Sequence, residues 1–316
     1  MLDFKVTLKD RGRIVATDNW SVAPALFLAD RQYVVPPISS PDYIHNILEI
    51  CMKENIRAIT TFIDPEIEIL SANRDVFLSN GILPLCPSTH SASLCFDKYE
   101  MFKYLKEHGL RTVLTYDSVA SFKAGYADGE ITFPVFIKPR TGSGSVGIHK
   151  VNNLEELESY ITEGTYNYII QEFMYGGDCD ADVYVDCISH KVVSAFSKRK
   201  LETRIGGASK TISFKDNGLF DFIKEIVAVF EFYGPLDMDF FYKDGQYYLS
   251  EINPRFGGAY LHAYGSGVDF VELIINNMNG VENKESIGDY EDGILMLMYD
   301  DVVIVKECDL LRDYHD

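Results

Sequence analysis

Nowhere in its 316 residues does the chain carry an unbroken apolar run of the roughly 18 residues that a membrane helix takes, so no membrane span is expected. The opening Met1-Leu2-Asp3-Phe4-Lys5 lacks the apolar stretch of a signal peptide. There is no C-x-x-C pair. Cys51, Cys86, Cys95, Cys179, Cys187 and Cys308 stand at spacings that fit no zinc module, and they read as reduced, mostly buried thiols of a cytoplasmic protein. Positive charge is scarce: 29 Lys and Arg face 48 Asp and Glu, a net charge of −19. Nucleic acid calls for a basic face, so that class of partner is excluded. Small anions are not, because a few clustered cations and backbone N–H groups override the net charge locally. Internal repeats and low-complexity segments are absent as well.

What is present divides into two or three structural units. In residues 1–92 short strands alternate with helices. Residues 13–17 and 33–35 are apolar strands, and 57–62 is a β-branched one that ends at Asp64-Pro65-Glu66. Ile44, Ile47, Leu48, Cys51 and Met52 recur at helical spacing. Together these make a small α/β unit with a largely parallel sheet. Such units open on an apolar strand. Here the first residues are polar and helix-like, so the expectation is a unit without its first strand.

A second unit spans 93–280. Lys98 lies in the first turn of a helix that stops at Gly109 and carries Tyr99, Phe102 and Leu105 as its apolar stripe. Strands are expected at 133–138, 147–151 and 168–173, and helices at 154–161, 219–232 and 268–278. Hairpins are expected at 182–197 and 237–251. The acidic remainder, 281–316, packs back on this unit with a late hairpin at 295–305.

Gly142-Ser143-Gly144-Ser145-Val146-Gly147 fits G-x-G-x-x-G, a weak pattern by itself. A dinucleotide fingerprint needs a helix next, whereas Ile148-His149-Lys150-Val151 is strand-like. A protein kinase places its lysine after the loop. Here Lys138 precedes it, and neither H-R-D nor D-F-G occurs. A loop between two strands that covers phosphates fits better. Glycine lets the backbone approach phosphate oxygens, Ser143 and Ser145 add donors, and Lys138 adds a cation. A plain surface turn is the alternative.

Asp239, Glu251 and Asn253 put three oxygen side chains on two neighbouring strands, a donor set for the hard ion Mg2+. Glu251 and Asn253 are two apart and share a face. Pro254 ends the strand, and Arg255 projects from the turn, where it suits a transferring phosphoryl group. Register decides whether the set converges. A two-residue turn at Asp244-Gly245 would pair 239 with 250 and leave Asp239 and Glu251 on opposite faces. A longer loop or a β-bulge brings them face to face, and that is the prediction. A solvated acidic hairpin is the plain alternative.

Gln171-Glu172-Phe173-Met174 closes a buried strand whose backbone at 172 and 174 could hold an adenine ring, with Asp178 on the ribose hydroxyls. A plain edge strand explains the same residues. Ser197-Lys198-Arg199-Lys200 and Arg204-Ile205-Gly206-Gly207 form the strongest positive patch, read as a loop that meets an acceptor carboxylate or the γ-phosphate. Asp64, Glu66, Arg74, Tyr260 and His262 are candidates for the acceptor pocket. His262 could serve as a base, although a lone histidine there is more often structural.

In this order, Lys98, Phe136-Ile137-Lys138-Pro139, residues 142–147, Gln171-Glu172-Phe173, Asp239 and Glu251-Ile252-Asn253-Pro254-Arg255 resemble the ATP-grasp superfamily. Within it, the chain looks most like the carbamoyl-phosphate-synthase large-chain-like proteins. The resemblance covers roughly 93–280, and residues 1–92 look like the α/β domain that precedes ATP-grasp in that family. It implies an α/β and α+β chain, with a small parallel α/β domain before a two-lobed ATP-grasp domain whose small lobe is at about 110–172. It implies ATP and Mg2+, with Mn2+ as an alternative ion. Lys98, Lys138 and the loop residues Gly142, Ser143, Gly144, Ser145, Val146 and Gly147 would contact the phosphates. Glu172, Phe173 and Met174 would bind adenine, and Asp178 ribose. Asp239, Glu251 and Asn253 would hold metal, and Arg255, Arg204 and Lys138 would be catalytic. Many members carry Glu or Gln where Asp239 stands, and Glu where Asp178 stands.

The activity so implied is carboxylate–amine ligation through an acyl phosphate, with small-molecule carboxylate and amine substrates and a homodimer allowed. The chain is too short for the two modules of a carbamoyl phosphate synthase large subunit, so carbamoyl phosphate is not the expected product. Two rivals stand beside this reading. One is an ATP-binding regulatory or scaffold protein without turnover, and the other a carboxylate or carbamate kinase.

Overall fold

The computed structural model describes residues 1–142, 147–163, 167–204 and 207–311. The chain begins with helix α1 (Leu2–Leu8), as its polar start suggests. It continues through β1 (Val15–Asp18), α2 (Pro24–Leu28), β2 (Arg31–Val34), α3 (Tyr43–Glu54), β3 (Ala58–Ile59), α4 (Asp64–Ala72), α5 (Arg74–Ser79) and β4 (Leu83–Pro84). Pairing is parallel throughout, but β1–β2 and β3–β4 form two separate two-stranded sheets rather than one. The strand expected over 57–62 is reduced to two residues. Thr61 turns its hydroxyl onto Glu66, and Pro65 sits in the first turn of α4, where its missing N–H costs nothing.

Next come α6 (Thr89–Phe96) and α7 (Lys98–Glu107). The boundary placed between 92 and 93 falls inside α6, which packs on both α4 and α7. Asp97 caps α7 by accepting from the backbone N–H groups of Tyr99 and Glu100, and this fixes Lys98 as the first helical residue. A four-stranded antiparallel sheet follows, in the order β5 (Thr115–Tyr116), β8 (Tyr168–Glu172), β6 (Val135–Pro139) and β7 (His149–Val151). Helices α8 (Val119–Ala127) and α9 (Leu154–Glu163) accompany it, and Phe122, Val135, Ile137, Val151 and Ile170 fill its core.

The largest sheet has six strands in the order β13 (Gln246–Asn253), β12 (Gly234–Lys243), β9 (Gly177–Val185), β10 (Val192–Arg204), β11 (Gly207–Phe214) and β14 (Leu295–Leu297). One face is apolar. Cys179, Ala181, Val183, Met238 and Phe240 alternate onto it and join the same core as α10 (Asn217–Val227). On α10 residues 219, 220, 222, 223, 226 and 227 are buried at helical spacing, each large side chain contributing roughly 1.5–3 kcal/mol. Helices α11 (Tyr260–Gly265) and α12 (Phe270–Met278) complete this region. On α12 docks the N-terminal helix, through Thr7 Oγ1 donating to Asp269 (2.7 Å) and the Arg11–Glu272 ion pair. The late hairpin is not formed. Only Leu295–Leu297 is a strand, paired with β11, and Arg204 draws Asp300 into an ion pair (3.0 Å) just beyond it. Among the described residues no helix is long and apolar enough to cross a membrane.

Candidate active site

The predicted hairpin register is met by a bulge. Lys243 pairs with Gln246 across a two-residue turn, in which Asp244 and Gly245 both have positive φ. The register then shifts between Asp239 and Phe240, so Ser250 is the extra residue and Asp239 lies directly opposite Glu251. The pairing continues sideways. Asp239 is opposite Asp180 on β9, and Asp180 is opposite Lys198 on β10. One row of side chains therefore runs Lys198, Asp180, Asp239, Glu251. The next row runs Phe196, Asp182, Asp237, Asn253. Facing residues share a sheet face, so both rows lie on the side away from α10.

This buried charge cluster escaped the sequence reading. Lys198 is wholly buried, with Nζ donating to Asp182 at 2.6 Å and standing 3.4 Å from Asp180. Burial pushes the Asp180 carboxyl up to about 7 and raises Asp182, and it lifts Asp237 well above the carboxylate range. Burial also opposes the Lys198 charge, yet Asp180, Asp182 and Asp237 together hold its pKa above the usual lysine range. The Oδ1 atoms of Asp180 and Asp182 are buried without a hydrogen-bond partner among the described residues. Gly257 closes over Asp182 and Asp237: a Cβ there would meet both at 2.8 Å. The positive patch over 197–200 is thus no loop. It lies on β10, where Lys198 and Lys200 turn inward to carboxylates while Arg199 stands over the Phe214 ring.

Lys138 reaches this face from β6. It is buried, and burial depresses its ammonium against the attraction of Glu251 and Asp239. Lys98 also acts on it, and Lys98 Nζ donates to the carbonyl of Gly142 at 2.6 Å. Arg140 ties the start of the loop to α7 through Asp97 (2.7 Å) and Glu100 (2.9 Å). Gly142 and Gly147 bound the loop with positive φ, whereas Ser143, Gly144, Ser145 and Val146 lie outside the described residues.

At the end of β8, Glu172 accepts from Lys243 (2.7 Å), which crosses from β12. Phe173 stacks on Phe136 at 4.9 Å, and Met174 is buried. Asp178 pairs with Lys200 (3.0 Å), which also holds Asp239 (2.5 Å). Asp239 thus already carries a lysine counter-ion, and Glu251 and Asn253 are the less encumbered oxygens. Among the described residues no three acidic, histidine or cysteine side chains form an all-protein cage. That donor set fits an ion such as Mg2+, which takes one or two protein carboxylates and otherwise phosphates and water.

Arg255 is half-buried. Its Nε donates to Asp64 of α4 (2.5 Å), and Nη1 lies 4.0 Å from Asp237. The N-terminal unit therefore contributes to the site through Asp64. Arg204 stands instead at the far end of β10, bonded to Asp300 and Met298. Three other candidates make contacts within the fold. Arg74 bonds the carbonyls of Pro84 and Cys86, and Tyr260 donates to Val268 and accepts from Phe270. His262 Nε2 donates to the carbonyl of Ile294 (3.1 Å), which leaves Nδ1 to accept from Thr211 (2.7 Å).

Burial, with help from Lys198, lowers the His262 pKa from 6.5 to about 4. Its stabilising contribution is complete above about 6.5 and is lost as pH falls towards about 4, up to about 3 kcal/mol. His262→Gln is expected to flatten the pH dependence of urea unfolding in that window. An unchanged slope would show that His262 is not held neutral.

Residues 95–259 match a family model described as the ATP-grasp domain, and residues 2–85 one described as the PylC-like N-terminal domain. The chain is 28% identical over 178 residues to D-alanine–D-alanine ligase B of Clostridium perfringens, covering 52% of this chain and 58% of the ligase. It is 22% identical over 222 residues to the carbamoyl phosphate synthase large chain of a Thermoanaerobacter species, covering 66% of this chain and 21% of that one. The chain thus spans only part of these relatives' length. Its fold matches the biotin carboxylase domain of the Hydrogenobacter thermophilus 2-oxoglutarate carboxylase with a TM-score of 0.72 at 19% identity, over 93% of this chain and 70% of that domain.

Proposed function

The chain belongs to the ATP-grasp family, and on that premise we propose that it is an ATP- and Mg2+-dependent ligase that joins a small carboxylate to an amine, releasing ADP and phosphate. One observation carries most of this reading: Lys138 of the four-stranded sheet converges on Glu251 and Asp239 of the six-stranded sheet. Two lobes meeting over one set of charges suit a polyphosphate held between them. The comparisons agree with it. The relatives are an amino-acid ligase and a carbamoyl phosphate synthase chain, and the carboxylase domain was crystallised with MgADP, ADP and bicarbonate.

In the proposed reaction a carboxylate oxygen attacks the γ-phosphorus of ATP, and the bond to the β-phosphate bridge breaks to release ADP. An amine then attacks the acyl carbon, the amide bond forms, and phosphate leaves. Lys138, with Lys98 beside it, neutralises the phosphates. Arg255 stabilises charge on the acyl phosphate. Phe173, Met174 and Glu172 bind the adenine side, and Asp178 the ribose. Glu251 and Asn253 would hold Mg2+, with Asp239 as the weaker member. When bound, the ion would supply charge neutralisation between the phosphate oxygens. Arg204 has a smaller part in this scheme, because its described partners are Asp300 and Met298.

The test is ADP release with ATP and Mg2+ over a panel of carboxylic acids, each with and without amines. A carboxylate-dependent signal that an amine raises, with an amide as product, is the expected result. ATP binding with no ADP from any pair would favour a regulatory protein. A hydroxamate trapped with hydroxylamine, but no amide from any amine, would favour a carboxylate kinase.

A further inference from the structure

Past β14 the chain leaves the six-stranded sheet. β14 is the last strand in the sheet order, so one of its edges is open. Met298 makes the final ladder contact, its N–H donating to the carbonyl of Ser209. Arg204 then holds Asp300 and fixes where the next stretch starts. Among the described residues, no backbone hydrogen bond joins 299–305 to another strand. Yet Val302-Val303-Ile304-Val305 is a run of β-branched residues, the type that favours extended pairing. Tyr299, Val302 and Ile304 are also the three most exposed large apolar side chains among the described residues. Unpaired backbone beside exposed apolar side chains is a template for another strand.

The residue pattern identifies that strand. In an extended chain Asp300, Val302, Ile304 and Lys306 share one face. Val302 and Ile304 are 76% and 90% exposed, against 38% and 40% for Val303 and Val305 on the other face. Read backwards, the open face is its own complement: a cation, two β-branched residues and an anion. A second copy laid antiparallel about Val303 sets Val302 opposite Ile304 and Asp300 opposite Lys306, each twice by symmetry. A parallel alignment in register would set like charges together. An antiparallel one slipped by two residues would put a charge opposite Val302 or Ile304. We infer that 299–306 pairs antiparallel with the same segment of a second copy, making a two-fold homodimer. Such a contact uses the same patch on both copies and closes on itself. It is independent of the ligase reading.

So short a ribbon is a small interface, and a reversible dimer with a Kd on the order of 10 µM is expected. Sedimentation equilibrium of the full chain from about 1 to about 100 µM should follow the passage from monomer to dimer. Ile304→Asp places a carboxylate opposite Val302 and is expected to weaken association about 100-fold or more. The altered side chains are exposed, so the core is left as it is. A charge swap tests the register. Lys306→Asp alone and Asp300→Lys alone each set like charges opposite one another, and each is expected to weaken the dimer severalfold. Mixed in equal amounts, these two variants are expected to associate more tightly than either does alone, because every pairing is again one carboxylate with one ammonium. A wild type that stays monomeric over the whole range overturns the inference. So does a dimer that Ile304→Asp leaves unchanged, which would place the interface elsewhere. A mixture that associates no more tightly than its separate variants overturns it as well, because the self-complementary register is then wrong.

Discussion

Replacing Glu251 with Gln is expected to lower ATP-dependent ADP release about 100- to 1000-fold while the protein stays folded. The substitution keeps size and hydrogen-bonding capacity and removes one negative charge. Glu251 faces Asp239 across the hairpin and lies within the electrostatic reach of Lys138. It has no ion-pair partner of its own among the described residues, whereas Asp239 is held by Lys200. Asp239→Asn should therefore cost less than Glu251→Gln, because part of its charge is already offset. Lys138→Ala is expected to be as damaging as Glu251→Gln, since it removes a buried cation and leaves Lys98 alone to face the phosphates. Steady-state ADP release, with circular dichroism as a check on folding, decides the matter. Undiminished turnover in both Lys138→Ala and Glu251→Gln would remove the basis for the site.

Replacing Lys198 with Met is expected to destabilise the protein by about 3–5 kcal/mol. Methionine fills nearly the same volume, so the loss is electrostatic. Asp180 and Asp182 would then share a buried face with Asp237 and no facing cation nearer than Lys200. The pH dependence identifies the cause. The Asp180 carboxyl stands at about 7, above its ordinary 3.8, so its stabilising contribution is complete below about 4 and is lost as pH rises through about 7. Removing Lys198 raises the cost of ionising these groups further. The deficit measured by urea unfolding should therefore be larger at pH 8 than at pH 5. An equal deficit at both values would mean that lost packing, not charge, is responsible.

Much of the site can be read from the residues because its pieces are local in sequence. Glu251, Asn253, Pro254 and Arg255 are consecutive or alternate, and strand periodicity puts the first two on one face. That constraint forced the choice between a longer loop and a bulge, and the bulge at Ser250 follows from the need to face Asp239 with Glu251. The buried cluster is harder to see. Asp178, Asp180 and Asp182 alternate along β9, and Lys198 and Lys200 along β10, a period-two signal that was present in the sequence. Clustered lysines are ordinarily solvated, however, and only the cross-strand pairing of β9 with β10 and β12 shows that these are enclosed. Asp64 is a similar case. Its contact with Arg255 spans 191 residues, which no local pattern reveals. The late hairpin failed for the opposite reason. Its apolar alternation suited a strand, but Asp300 finds Arg204, and the segment beyond Leu297 does not pair.

In the proposed reaction a carboxylate is activated as its acyl phosphate in the space between Lys138 and the Glu251–Asn253 strand. The most direct measurement is the fate of the ATP phosphates, followed by phosphorus NMR during turnover with an acceptor carboxylate and an amine. Activation at the γ-phosphorus predicts ADP and inorganic phosphate in equal amounts, both dependent on the carboxylate and both lost in Glu251→Gln. AMP and pyrophosphate as the products would contradict it, because they would place the attack at the α-phosphorus.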